Sequence, residues 1–392
     1  MGTDRLRSTV ERSPAGNASP AAPRMQCAGA LLPPSVPAWT RFAQTSLPLQ
    51  TSPLLARSVS PRLAPGGAQG TPPEPQVDLS TYKLHTLTRP DGRTLQIDQW
   101  GDLVIPDLLI PGGVEMEPLV IDGPQARLQC FGDSGKGTPD QFEVAANIVA
   151  MADERGVHAS MHLGDIIYPA GIVRPDDPRI DTLYREPYGA LRNPHAVLGN
   201  HEYGSWNEAG IAETWLDVAK IGKPGMFAMP ARYYSQRILV DGMTIRCLFI
   251  DSGTLAVDPL QIAWLTRELM KGADRTIVFG HHPIYSGGIH GTIPHMEKLL
   301  LPLLEEHADL YIAGHDHNLQ FLRSDKGLPL VVSGSAGEPR LKPEPNGHSE
   351  FFSSTMGTTF LSIDKNGIDV DLVDGKTRKT LFTKHLDPKR PR

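Results

Sequence analysis

Five short motifs, each set directly after an apolar run, constrain this chain of 392 residues more than any other feature. They read Gly132-Asp133-Ser134-Gly135, Gly164-Asp165-Ile166-Ile167-Tyr168, Gly199-Asn200-His201-Glu202, Gly280-His281-His282-Pro283 and Gly314-His315-Asp316-His317. The runs before them, 128–131, 157–163, 196–198, 276–279 and 310–313, read as buried strands. A glycine after a strand lets the backbone turn sharply and approach a ligand closely. In open α/β sheets ligands sit beyond the carboxyl ends of the strands, where these side chains would gather.

The residue types suit two metal ions about 3.5–4 Å apart, an arrangement that can bind the attacking and leaving oxygens of an in-line displacement. Asp165 is the natural bridge, since its two oxygens can face two ions. Asp133 adds an anionic oxygen; His281, His315, His317 and the amide oxygen of Asn200 complete a mixed O/N shell suited to iron, zinc or manganese. No cysteine lies in any motif, which argues against a thiolate zinc or iron–sulfur site. Singly, each motif has an ordinary explanation: Gly-Asp is commonly a turn, and His-x-His at a strand end is ambiguous. Five in order, each at a strand end, leave those explanations little room.

The ordered set resembles the calcineurin-like metallophosphoesterases, and within them the purple acid phosphatases of the tartrate-resistant type. Three details carry the likeness: Gly135 where most of the superfamily has a histidine ligand, Tyr168 three residues after Asp165, and the run Gly314-His315-Asp316-His317-Asn318-Leu319-Gln320. Similarity continues in Gln261-Ile262-Ala263-Trp264-Leu265, Ser333-Gly334-Ser335-Ala336-Gly337 and Lys379-Thr380-Leu381-Phe382, so that it covers 126–385. The resemblance implies an α/β fold, a four-layer α/β/β/α sandwich. It also implies Fe(III) held by Asp133, Asp165, Tyr168 and His317, and a divalent iron, zinc or manganese held by Asp165, Asn200, His281 and His315. His201 and His290 would line the substrate side. The chain departs from the family pattern at Ser134, His282 and Glu202, which bears on substrate preference. His282 is expected to be packed beneath its loop.

The remainder of the chain sets boundaries. A net charge of −6 gives no global basic field for nucleic acid, and no apolar stretch approaches the ~20 residues of a membrane span. Residues 1–78 hold thirteen of the 36 prolines and no lysine; such a segment buries little and is expected to be a disordered tail, permitting a targeting or export role. No secretory signal peptide is recognisable, because Pro33 and Pro34 break the apolar patch at 28–32. Cys27, Cys130 and Cys247 make no disulfide framework; buried thiols at Cys130 and Cys247 favour a reducing, cytoplasmic setting.

The metallophosphoesterase domain is placed at 79–392, with added β elements at 79–125 and the core at 126–385. Thr138-Pro139-Asp140-Gln141 and Asp258-Pro259-Leu260-Gln261 are helix-start signals. The first helix is expected to bury Phe142, Ala145, Ala146 and Val149, and to stop at Gly156; the second, Ile262, Leu265 and Leu269, stopping at Gly272. Residues 86–97 read as a hairpin around Pro90-Asp91-Gly92. Further strands are expected at 330–332, 359–363, 368–372 and 381–385. The expected activity is hydrolysis of phosphomonoesters, on a phosphorylated small molecule or phosphoprotein, by in-line attack of a metal-bound hydroxide, with His201 or His290 giving a proton to the leaving alkoxide. Two alternatives stand beside it: a phosphodiesterase on a nucleotide or lipid headgroup, and a non-catalytic metal-binding interaction module.

Overall fold

The computed structural model describes residues 77–205, 207–340 and 346–389. The tail expected at 1–78 therefore lies, but for its last two residues, outside the described residues, as does Cys27.

Two large sheets carry the fold. Strands Ala126–Phe131, Ala159–His162 and Pro194–Ala196 run parallel at one side of a six-stranded sheet; Gly357–Asp364, Gly367–Asp374 and Thr380–Leu386 extend it antiparallel. In a nine-stranded sheet, Met243–Phe249, Arg275–Phe279, Leu310–Ala313 and Pro329–Ser333 form the parallel centre. The first three motifs thus leave one sheet and the last two leave the other.

The two-residue period of the strands decides the layering. Ile277 and Phe279 enter the core shared with Leu128, Cys130, Leu361 and Ile363 of the six-stranded sheet, while Val278 turns to the opposite side. There it meets Trp264 and Leu265 of helix Pro259–Met270 and Leu304 of helix Leu301–His307. Helix Pro139–Glu154 covers the other sheet through Val144, Ala145 and Ile148. The result is the expected α/β/β/α sandwich. Cys130 and Cys247 are buried free thiols within it. Among the described residues no helix is long and apolar enough to cross a membrane.

The helix-start signals hold, and one face does not. Thr138 Oγ1 accepts from Gln141 N, and Asp258 Oδ1 from Gln261 N, each at 3.1 Å. Yet Phe142 is 41% exposed and Ala146 is exposed, while Gln141, Val144, Ala145, Ile148, Met151 and Ala152 are buried. Gln141 is drawn inward because its Oε1 accepts from Gly137 N at 2.6 Å and its Nε2 donates to the Leu183 carbonyl. That turns the helix so that Phe142 points to solvent.

The β elements before the core form a three-stranded ribbon of Leu84–Thr88, Thr94–Asp98 and Val104–Pro106, with the expected turn closed by Arg89 N on Arg93 O. Strands Leu319–Arg323 and Ser349–Ser353 of the large sheet were not expected. The first is buried and follows so closely on the fifth motif that it reads as its continuation.

Candidate metal centre

The carboxyl ends of the two sheets meet at a cleft of about 290 Å³ lined by Asp165, Asn200, His201, His290, His315 and His317, among others. The motif backbones are bent to reach it. Asp133, Asp165 and His315 have φ of 59°, 54° and 68°, a conformation that non-glycine residues seldom adopt. At Gly135 a β-carbon would fall 2.0 Å from the Ile166 carbonyl oxygen. Glycine there lets the second motif close in, with Tyr168 N donating to Gly135 O.

All seven residues expected as ligands converge, and they converge as two groups. The Tyr168 hydroxyl lies 3.1 Å from Asp133 Oδ1, 2.9 Å from Asp165 Oδ2 and 3.1 Å from His317 Nε2. His281 Nε2 lies 3.0 Å from Asn200 Oδ1, 3.1 Å from His315 Nδ1 and 3.4 Å from Asp165 Oδ1. Asp165 faces both groups, one oxygen to each.

The outer nitrogens fix the tautomers. His281 Nδ1–H donates to the Leu163 carbonyl at 2.7 Å, and His315 Nε2–H to Asp102 Oδ1 at 2.9 Å. Their inner nitrogens, His281 Nε2 and His315 Nδ1, are therefore turned to the same space, 3.1 Å apart. His317 Nδ1 faces Glu338 at 3.4 Å, leaving Nε2 inward. Outer partners of this kind orient imidazole ligands and raise their basicity.

The charges are poised for a cation. Burial, reinforced by Asp133 and Asp165, pushes the Tyr168 phenol well above its ordinary range. Burial opposes charge on His281, but Asp165 and Asp133 outweigh it and push its pKa up to about 10. For Asp165, burial is overcome by His281 and His201, which hold the carboxyl well below its usual range. Protons thus stand where positive charge is wanted.

His201 and His290 both reach the cleft, in different states. His201 Nδ1 is tied to the Pro169 carbonyl, so Nε2 is the nitrogen turned toward Asp165 Oδ2, 3.8 Å away. His290 is held at both nitrogens: Nδ1 is 3.2 Å from Asp102 Oδ1, and Arg340 donates to Nε2 at 3.2 Å. Its loop is anchored where it begins. Ser286 Oγ bonds to Asp316, and Gly287 N donates to Gln320 Oε1 at 2.8 Å.

The three departures from the family pattern have local explanations. Ser134 is fully buried against His162, at 2.8 Å, and so contributes no wall to the cleft. His282 is buried with Nδ1 on Ser252 and Nε2 on the Gly101 carbonyl, both at 2.8 Å, the packed role expected for it. Glu202 accepts from the backbone N–H groups of Asp165, Ile166 and Gly199 at 2.8, 2.8 and 2.6 Å. It thereby fastens the second motif to the third.

Asp102, Glu338 and Arg340 escaped the sequence reading. No motif flags them, and each acts through a residue far along the chain. Arg340 had one available signal, an arginine six residues after the Ser333–Gly334 strand end.

Residues 126–319 match a family model described as calcineurin-like phosphoesterase. Tartrate-resistant acid phosphatase type 5 of Rattus norvegicus is 30% identical over 308 residues, spanning 68% of this chain and 91% of that protein. Glideosome-associated protein 50 of Plasmodium falciparum is 35% identical over 308 residues, spanning 68% of this chain and 77% of its own length. A solved structure described as GAP50, the anchor in the inner membrane complex of Plasmodium, superposes with a TM-score of 0.62 at 26% identity, covering 68% of this chain and 90% of that one.

Proposed function

The chain belongs to the calcineurin-like phosphoesterase family, and from that premise we propose that it is a phosphomonoesterase working with two metal ions at the junction of its sheets. That it is a phosphoric ester hydrolase follows from its likeness to the acid phosphatases. The observation that carries the two-ion reading is the division of labour at Asp165, whose oxygens face two separate ligand groups.

The residues fit such ions. One phenol proton cannot serve Asp133, Asp165 and His317 together, and the proton that Asp165 and Asp133 hold on His281, 3.1 Å from His315 Nδ1, stands where a cation between the two imidazoles would lie. Asp133, Asp165, Tyr168 and His317 would hold one ion, Fe(III) by the phenolate chemistry of Tyr168; Asp165, Asn200, His281 and His315 would hold a divalent partner. When bound, such ions supply an activated water and neutralise phosphoryl charge. His201 Nδ1–H is committed to the Pro169 carbonyl, so Nε2 gives a proton to the leaving oxygen from the imidazolium form, which burial opposes and Asp165 favours. Arg340 and His290 bind the phosphoryl oxygens, and exposed Trp100 and Ile289 at the cleft mouth receive the leaving group.

The likeness to Glideosome-associated protein 50 supports a second reading, an interaction protein that keeps a metal site without turnover. Metal analysis of the purified protein together with hydrolysis of phosphomonoester and phosphodiester panels, with and without chelator, separates the readings. We expect two ions per chain and chelator-sensitive monoester hydrolysis. Two ions with no turnover favours the interaction reading, preferential diester turnover the phosphodiesterase, and a metal-free, chelator-insensitive enzyme sinks the two-ion mechanism.

A further inference from the structure

We infer that the 99–103 loop of the N-terminal ribbon is part of the metal centre, with Asp102 as the residue that positions both His315 and His290. The inference rests on the reading of His315 as a ligand to the divalent ion. Asp102 lies outside the 126–319 stretch that matches the family model.

Four contacts converge on two consecutive residues. Asp102 Oδ1 is 2.9 Å from His315 Nε2 and 3.2 Å from His290 Nδ1. The two rings it joins are packed with centroids 3.8 Å apart. The Gly101 carbonyl accepts from His282 Nε2 at 2.8 Å. Gly101 also presses on Asn200: its φ is +80°, and a β-carbon there would fall 2.3 Å from Asn200 Nδ2.

The loop is itself held rigidly. Asp98 accepts from Leu103 N through Oδ1 and from Gly101 N through its carbonyl, each at 3.2 Å, while Asp98 N donates to Leu103 O. Asp102 is buried, so little water competes for its oxygens. Without this carboxylate no other hydrogen-bond partner among the described residues would keep the proton on His315 Nε2 and the lone pair of Nδ1 inward. His290 would lose the partner opposite Arg340 in the same step. One side chain therefore sets a ligand tautomer and the orientation of a substrate-side imidazole.

The test is Zn²⁺ affinity of the full-length chain, measured by competition with a chelator, for wild type, Asp102→Ala and Asp102→Asn. Removing an outer-shell partner of a metal-bound histidine typically costs 10- to 100-fold in affinity. We expect a loss of about that size in Asp102→Ala and a smaller one in Asp102→Asn, which keeps an acceptor oxygen without the charge. Wild-type affinity in Asp102→Ala overturns the inference. Should that variant not fold, the zinc-loaded wild type decides it by ¹⁵N–¹H correlation of its histidines: a proton on His315 Nε2 is expected, and one on Nδ1 overturns it. A wild type that binds no Zn²⁺ would instead overturn the two-ion reading beneath it.

Discussion

The Tyr168 hydroxyl lies 2.9 Å from Asp165 Oδ2, and its ring is capped by Lys136 Nζ at 3.5 Å from the centroid. Without a cation, burial together with Asp133 and Asp165 holds this phenol protonated; a strongly acidic trivalent ion inverts that balance. Iron-loaded protein should therefore show a broad visible charge-transfer band. Tyr168→Phe should lose the band with iron still bound. A colourless wild type holding only zinc or manganese would dismiss the ferric-phenolate assignment and leave the hydrolase reading intact.

His201 and His290 should separate kinetically. His201→Ala is expected to lower kcat by about 10²–10⁴ for poor alkyl leaving groups and far less for activated aryl ones, as loss of a proton donor requires. His290→Ala should instead affect both substrate types alike and raise KM, with metal content unchanged. A leaving-group dependence in His290→Ala but not in His201→Ala would reverse the assignment.

Glu202 fastens two motifs through three backbone N–H groups, so both its oxygens matter. In Glu202→Gln the amide nitrogen must face one of those donors, leaving a buried N–H unpaired at a cost of about 1–3 kcal/mol. Denaturant unfolding of the chelated protein should show that loss. Equal stability of the two proteins would mean the loop holds without Glu202.

Arg232 is a buried cation, 2.6 Å from both Asp251 Oδ2 and Asp258 Oδ2 and 2.8 Å from the Ile110 carbonyl. Tyr203, immediately after the third motif, donates to the same Asp251 oxygen at 2.6 Å. Arg232→Ala strands two carboxylates, and breaking a buried pair costs about 3–5 kcal/mol. A melting temperature within a degree of wild type would refute that role.

Trp100 is half-exposed at the cleft mouth, edge-on to His290 with centroids 6.1 Å apart. Trp100→Ala should raise KM for aryl phosphates by about 2- to 10-fold, the range of an aromatic contact, with kcat little changed. An unchanged KM would remove Trp100 from the substrate path.

The seven residues that converge on the cleft were legible in the sequence because each is local to a strand end. A strand, a glycine and a polar side chain are sequence neighbours, and an α/β sheet carries every such end to one edge. Helix starts were legible for the same reason, since Thr138 and Asp258 act only three residues along the chain. Tertiary structure alone decided the rest. Which face of helix Pro139–Glu154 is buried depended on Gln141 finding the distant Leu183 carbonyl. Tautomers depended on Asp102, 213 residues from His315, and on Glu338 beside His317. Asp316 and Gln320 sit within the run 314–320, yet their partners lie in the His290 loop about thirty residues earlier, in contacts with no spacing to betray them. Which side chains face the cleft is a property of short backbone segments and is written in sequence order. The hydrogen bonds that orient those side chains join segments that meet only once the chain has folded.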